Sequence, residues 1–121
     1  MNQTPNDNQA SILRVLEPIR AWTTPYADVR YEVIVDLEHQ HFQVVVTGWD
    51  GSKRVHSMLV HIAIRDGLVW LEEDRTDAEI AEQLIEQGIP RERIILGFQA
   101  RTTRKRPCPT GAFYGQEGAI L

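Results

Sequence analysis

One cysteine, Cys108, stands in 121 residues, so the chain can close no internal disulfide and no thiolate-rich zinc site. It also lacks any run of the about eighteen consecutive apolar residues that a membrane helix needs, and its opening shows no basic start followed by an apolar stretch. These absences predict a cytoplasmic protein without metal, cofactor or membrane contact. Basic charge is scarce over most of the chain: residues 1–99 carry nine Lys/Arg against sixteen Asp/Glu, whereas residues 100–121 carry four against one. An acidic body repels phosphate backbones, which disfavours a general DNA-binding role for it unless its few cations gather on one face. What the chain does have is 42% apolar content and three Trp, enough to close one core and offset the entropy of ordering the backbone. One domain over residues 1–99 is expected, frayed over residues 1–9 and followed by a basic, irregular tail over residues 100–121.

Within the body, hydrophobic spacing predicts an α+β order. Ile12, Leu13, Val15, Leu16 and Ile19 recur at helical spacing from Ala10, with Asn8 or Ser11 available as a cap. Pro18 should end that helix, because its ring removes a donor and crowds the preceding turn. Val29, Tyr31, Val33, Val35 and Leu37 then alternate with polar residues as a half-buried strand does, only Ile34 breaking the polar side. A second strand is expected from His41 to Trp49, and a third from Arg54 to Ile64 that is apolar on both faces and so covered above and below. A fourth should run from Leu68 to Glu73. Thr76 and Glu79 have the spacing of a capping box for a second helix, with Ile80, Ala81, Leu84 and Ile85 as its buried stripe. Gly88, Ile89 and Pro90 form a stop signal, and Ile94 to Gln99 reads as a last strand. The architecture expected is an N-terminal helix, a four-stranded antiparallel meander, a helix and a final strand.

The turns supply candidate functional residues. If Asp50-Gly51 and Asp66-Gly67 are both two-residue hairpin loops, His61 faces Glu72 beside Trp70, while His41 faces Val60 on the other side of the sheet. Directly opposed side chains lie about 5 Å apart at Cβ, so His61 and Glu72 can hydrogen-bond. A carboxylate that orients an imidazole suits a structural pair, a binding contact or, with a nucleophile beside it, proton transfer. His39, His41 and His61 fall apart as a metal cluster in this register, and no metal is expected. Glu72, Glu73, Asp74 and Asp77 gather where the fourth strand meets the helix, a placement that the helix dipole favours at Asp77 and reaches to Asp74. In the tail, Arg101, Arg104, Lys105 and Arg106 could touch nucleic acid or an acidic partner, although such runs are commonly solvated ends.

Taken in order, Tyr31 to Asp36, Phe42-Gln43, Gly48-Trp49, Arg54-Val55, Val60-His61-Ile62, Ile64, Asp66-Gly67, Val69-Trp70, Asp74, Thr76, Ile80-Ala81, Leu84, Gly88-Ile89-Pro90 and Ile94-Ile95-Leu96 resemble the XisI family. That family is named for control of excision of the fdxN element in nitrogen-fixing, heterocyst-forming cyanobacteria. The likeness spans roughly residues 29–99, and the N-terminal helix fits more loosely. Beyond Gln99 the chain departs from the family pattern, and Asp77 stands where a Glu is usual.

The resemblance implies a compact α+β accessory factor in site-specific DNA rearrangement. Its implied companion is a XisH-like protein of nuclease-like fold, and the recombinase is a separate protein. No catalytic residue carries over. Three functions follow as expectations. The first is a non-enzymatic factor that binds a XisH-like protein, and through it a recombinase complex, with Trp49, His61, Trp70, Glu72 and Asp74 as partner-binding candidates and self-association open. The second is a direct DNA binder that uses the basic tail. The third is an enzyme built on His61 and Glu72.

Overall fold

The computed structural model describes residues 5–98 and 119–120. Helix α1 runs Pro5–Leu16 and passes into a 3-10 turn, Glu17–Ala21, with Pro18 in its first turn. Proline is tolerated there because the first amides of a helix have no internal partner. The helix begins at Pro5, before the expected Ala10. Asn8 and Ser11 are not caps: both are buried, and the Ser11 hydroxyl donates to the Gln87 carbonyl at 3.2 Å, tying α1 to the end of the second helix.

Strands β1 (Asp28–Asp36), β2 (His41–Asp50), β3 (Lys53–Arg65) and β4 (Leu68–Asp74) form the antiparallel meander. Helix α2 spans Ile80–Glu86, and β5 (Ile94–Leu96) then returns parallel to β4. Within the stretch expected to be an irregular tail, β6 (Ala119–Ile120) pairs antiparallel with β5, giving one six-stranded sheet in the order β1-β2-β3-β4-β5-β6. Arg101, Arg104, Lys105, Arg106 and Cys108 lie outside the described residues.

Both helices pack on one face of this sheet. Phe42, Val44, Val60, Ile62, Val69, Leu71 and Ile94 point into a single core against Ile12, Leu16, Ile80, Leu84 and Ile89. The stop signal of α2 acts as its sequence predicts: Gly88 adopts φ +104, Ile89 donates its amide to the Leu84 carbonyl at 3.1 Å, and its side chain folds back into the core.

The start of α2 differs from expectation. Asp74 Oδ1 accepts from the Thr76 amide at 2.9 Å and from the Thr76 hydroxyl at 2.6 Å, and the Thr76 hydroxyl accepts from the Ala78 amide at 3.2 Å. Thr76 is therefore spent on a local turn, the helix starts only at Ile80, and Glu79 precedes it in left-handed conformation without a side-chain cap. Competition between a short polar side chain and the helix for nearby amides explains the delay. Asp77 consequently lies outside the helix and its first turn.

A displaced loop and one extra residue reset the register of the β2–β3 hairpin. The loop after β2 is Gly51-Ser52, since Asp50 already pairs with Lys53, and Leu59 bulges from β3 so that Val45 pairs with Met58 but Val44 with Val60. The Asp66-Gly67 loop does have two residues, both at positive φ, and it sets Ala63 opposite Trp70. A second irregularity in β4 then places Glu73, not Glu72, opposite His61. The central strand β3 is covered by helices on one face only; on the other, Met58 and His61 are half-buried.

Candidate functional site

The face of the sheet turned away from α1 and α2 carries most of the candidate residues. Alternation along each strand, reset by the bulges, puts Asp36 of β1, His41, Gln43, Thr47 and Trp49 of β2, Arg54, His61, Ala63 and Arg65 of β3 and Trp70 of β4 on this face. His41 does not face Val60 as a loop at Asp50-Gly51 implied. It pairs with Ala63, diagonal to His61, and its Nδ1 lies 3.1 Å from His61 Nε2. The bulge at Leu59 causes this: without it His61 would lie opposite Phe42, inside the core.

Charges converge on the pair from both sides. Asp36 stands opposite His41, its carboxylate accepting from the His39 amide at 3.0 Å and meeting the His39 ring at 2.8 Å. Those hydrogen bonds hold the Asp36 carboxyl below its usual range, the amide bond chiefly and the ring bond next. Glu72 and Glu73 stand near His61 on β4. Partial burial, and secondarily the neighbouring His41, push the His61 imidazole below its usual value, while Glu72 and Glu73 pull the other way. No His61–Glu72 dyad forms.

Trp70 is only 2% exposed, so it is not itself a surface for a partner. It packs with Ala63, Leu68 and Ile95 in a small second cluster, and the Arg65 guanidinium lies 4.1 Å from its ring centroid. Its indole N–H, although buried, meets no acceptor among the described residues. Arg65 also reaches Glu72 at 3.8 Å, and Gly97 leaves room for that carboxylate, since a Cβ there would lie 2.5 Å from Glu72 Oε1. Asp74 is turned to the local turn before α2 and takes no part in this face.

Trp49 lies eight residues along β2 from His41, roughly 27 Å at the rise of an antiparallel strand. It is 49% exposed, with the Arg54 guanidinium 5.5 Å from its ring centroid. Arg54 is held by the Thr47 hydroxyl at 3.2 Å and the Gly48 carbonyl at 3.4 Å. With Asp28, Arg30, Thr47 and Gly48 these two residues line a shallow groove of about 350 Å³. Gly48 is dictated by the approach of β1, because a Cβ would sit 2.1 Å from the Asp28 carbonyl oxygen.

Sequence reasoning missed one further feature. Trp22 meets Tyr31 edge-on at 5.7 Å, and the two wall an open groove of about 490 Å³ with Leu59, Arg75, Thr76, Asp77 and Ala78. The bulged Leu59 helps to form it. A switch of the apolar positions from Val55 to Val60, Ile62 and Ile64 along β3 was the available signal for that bulge. Among the described residues no group of three or more His, Cys, Asp or Glu is placed to hold a metal ion, and no helix is long and apolar enough to cross a membrane.

A helix-backed meander completed by a parallel strand, with a polar and aromatic outer face, defines a small α+β class, and comparison with known proteins identifies it. The XisI protein family model matches residues 1–107, and the chain belongs to that family. The match extends over the N-terminal helix and past Gln99, further than the sequence landmarks reached. A XisI-like protein from Anabaena variabilis ATCC 29413 superposes with a TM-score of 0.69 at 31% identity, covering 80% of this chain and 88% of its own. The fdxN element excision controlling factor XisI from the same organism gives a TM-score of 0.67 at 27% identity, covering 81% and 89%. No curated protein matches the chain.

Proposed function

We propose that this chain is a non-enzymatic controlling factor for excision of a DNA element, and that it acts by docking on a protein partner, a XisH-like protein of nuclease-like fold. Family membership and the likeness to an fdxN element excision controlling factor support the excision-control part of this reading. The observation that carries the docking part is Trp49, a large apolar ring left half exposed on a rigid strand and stacked by Arg54. Tryptophan and arginine are among the side chains most often found to anchor interfaces, and a tryptophan ring buries much surface at little entropic cost. The acidic balance of residues 1–99 as a whole suits a partner whose own surface is basic and DNA-facing, which gives attraction before contact.

The test is a binding titration of the full chain with a XisH-like protein encoded in the same genome. A complex that weakens as salt rises, and weakens at least tenfold in Trp49→Ala with the fold intact by circular dichroism, supports the reading. Absence of any complex at micromolar concentration ends it.

A further inference from the structure

We propose that His41 and His61 form a two-histidine site for a divalent transition-metal ion of the kind that imidazole prefers, such as Zn²⁺ or Ni²⁺. The inference stands apart from the excision reading and rests on where the strands put two rings. His41 Nδ1 and His61 Nε2 are 3.1 Å apart, with ring centroids at 5.3 Å and a tilt of 39°. Two imidazole nitrogens bound to one tetrahedral ion, each about 2.0–2.1 Å from it, are separated by roughly 3.3 Å. The pair thus already has nearly the spacing of a chelate.

Without an ion, one ring donates its N–H to the other nitrogen, and the nitrogens lie close to the line between the rings. Binding needs a modest turn that brings both lone pairs onto one point. His41 is exposed and has room for it. The proton between the rings moves to the other nitrogen of its own imidazole, so two neutral ligands face the ion and no charge is lost.

Two further observations point the same way. The bulge at Leu59 carries His61 from the core side of the sheet to the side of His41, so a local departure from regular pairing creates this juxtaposition. Carboxylates then flank the pair on both neighbouring strands: Asp36 faces His41, Glu73 faces His61, and Glu72 stands beside it, countered by Arg65 at 3.8 Å. Their combined field favours a cation over an anion. Since no third protein ligand completes a set among the described residues, water fills the remaining positions and the ion stays open to an outside ligand.

The experiment titrates the full-length chain with Ni²⁺ near pH 7.5 in a non-coordinating buffer, by calorimetry and by NMR of the histidine rings. One equivalent should bind to this site, broadening the His41 and His61 ring signals first. His41→Ala and His61→Gln should each lose that equivalent or weaken it at least tenfold, while His56→Ala and His39→Ala keep it. His41 is exposed, so its variant serves alone if His61→Gln fails to fold. No uptake by the natural chain, or the same stoichiometry and affinity in His41→Ala, overturns the proposal.

Discussion

His61 shows how much one side chain depends on its surroundings. Partial burial and His41 lower its proton affinity in the folded state, against the opposing pull of Glu72 and Glu73. The unfolded chain then binds this proton more readily than the native one, so the contribution of His61 to stability is complete above its ordinary value of 6.5 and lost as pH falls through the lower folded value. In metal-free buffer the His61 ring should titrate by NMR below that of a free imidazole, and urea midpoints should fall on acidification within this window. His61→Gln should flatten that dependence, and an unchanged slope would remove His61 as its cause. At Asp74 the prediction concerns geometry. Asp74→Ala removes two hydrogen bonds from the turn before α2, each worth about 0.5–1.5 kcal/mol, so urea denaturation should register a loss of about 1–3 kcal/mol.

Among the elements, those defined by hydrophobic period and by glycine were legible in the sequence, and those set by competing hydrogen bonds or added residues were not. Alternation from Val29 to Val35 gave β1, the Asp66-Gly67 turn gave the β3–β4 hairpin, and Gly88-Ile89-Pro90 gave the end of α2. Nothing local told that Thr76 would bind Asp74 in preference to capping a helix, because both arrangements satisfy the Thr76 amide and give its hydroxyl a nearby amide to accept from. The candidate site suffered most. One bulge at Leu59 and a loop displaced by one residue, to Gly51-Ser52, moved His41 from the far side of the sheet to contact with His61, and the shift in β4 exchanged Glu72 for Glu73. A one-residue slip turns every later side chain to the other face, so an error that costs little in secondary structure rearranges a site completely. Two glycines test the element scale. Gly88→Ala places a side chain at φ +104 and should cost about 1–2 kcal/mol in chemical denaturation. Gly48→Ala drives a Cβ against the Asp28 carbonyl, separating β1 from β2, and should cost more than about 2 kcal/mol.

At the scale of the whole molecule, one face of the sheet is committed to the main core, while the other buries a small cluster around Trp70 and exposes Trp49 and His41. Phe42 and Ile62 of the sheet and Leu16 and Leu84 of the helices are fully buried between the two layers, and Phe42→Ala should lose about 3–5 kcal/mol while leaving the outer face chemically unchanged. That face holds a half-exposed Trp49 with Arg54 at one end and the histidine pair with its carboxylates at the other, about 27 Å apart along β2. Two such features on one rigid sheet allow a protein partner and an ion to be engaged independently, so His41→Ala should leave partner affinity within about twofold if only the Trp49 end docks.

The most direct measurement is the dissociation constant of the complex with a XisH-like protein, taken by calorimetry for the natural chain and for Trp49→Ala at low and at high salt. Docking through the sheet predicts a one-to-one complex, weaker at high salt and at least tenfold weaker in the variant. Equal affinity for both chains, or no heat of binding with either, would contradict it.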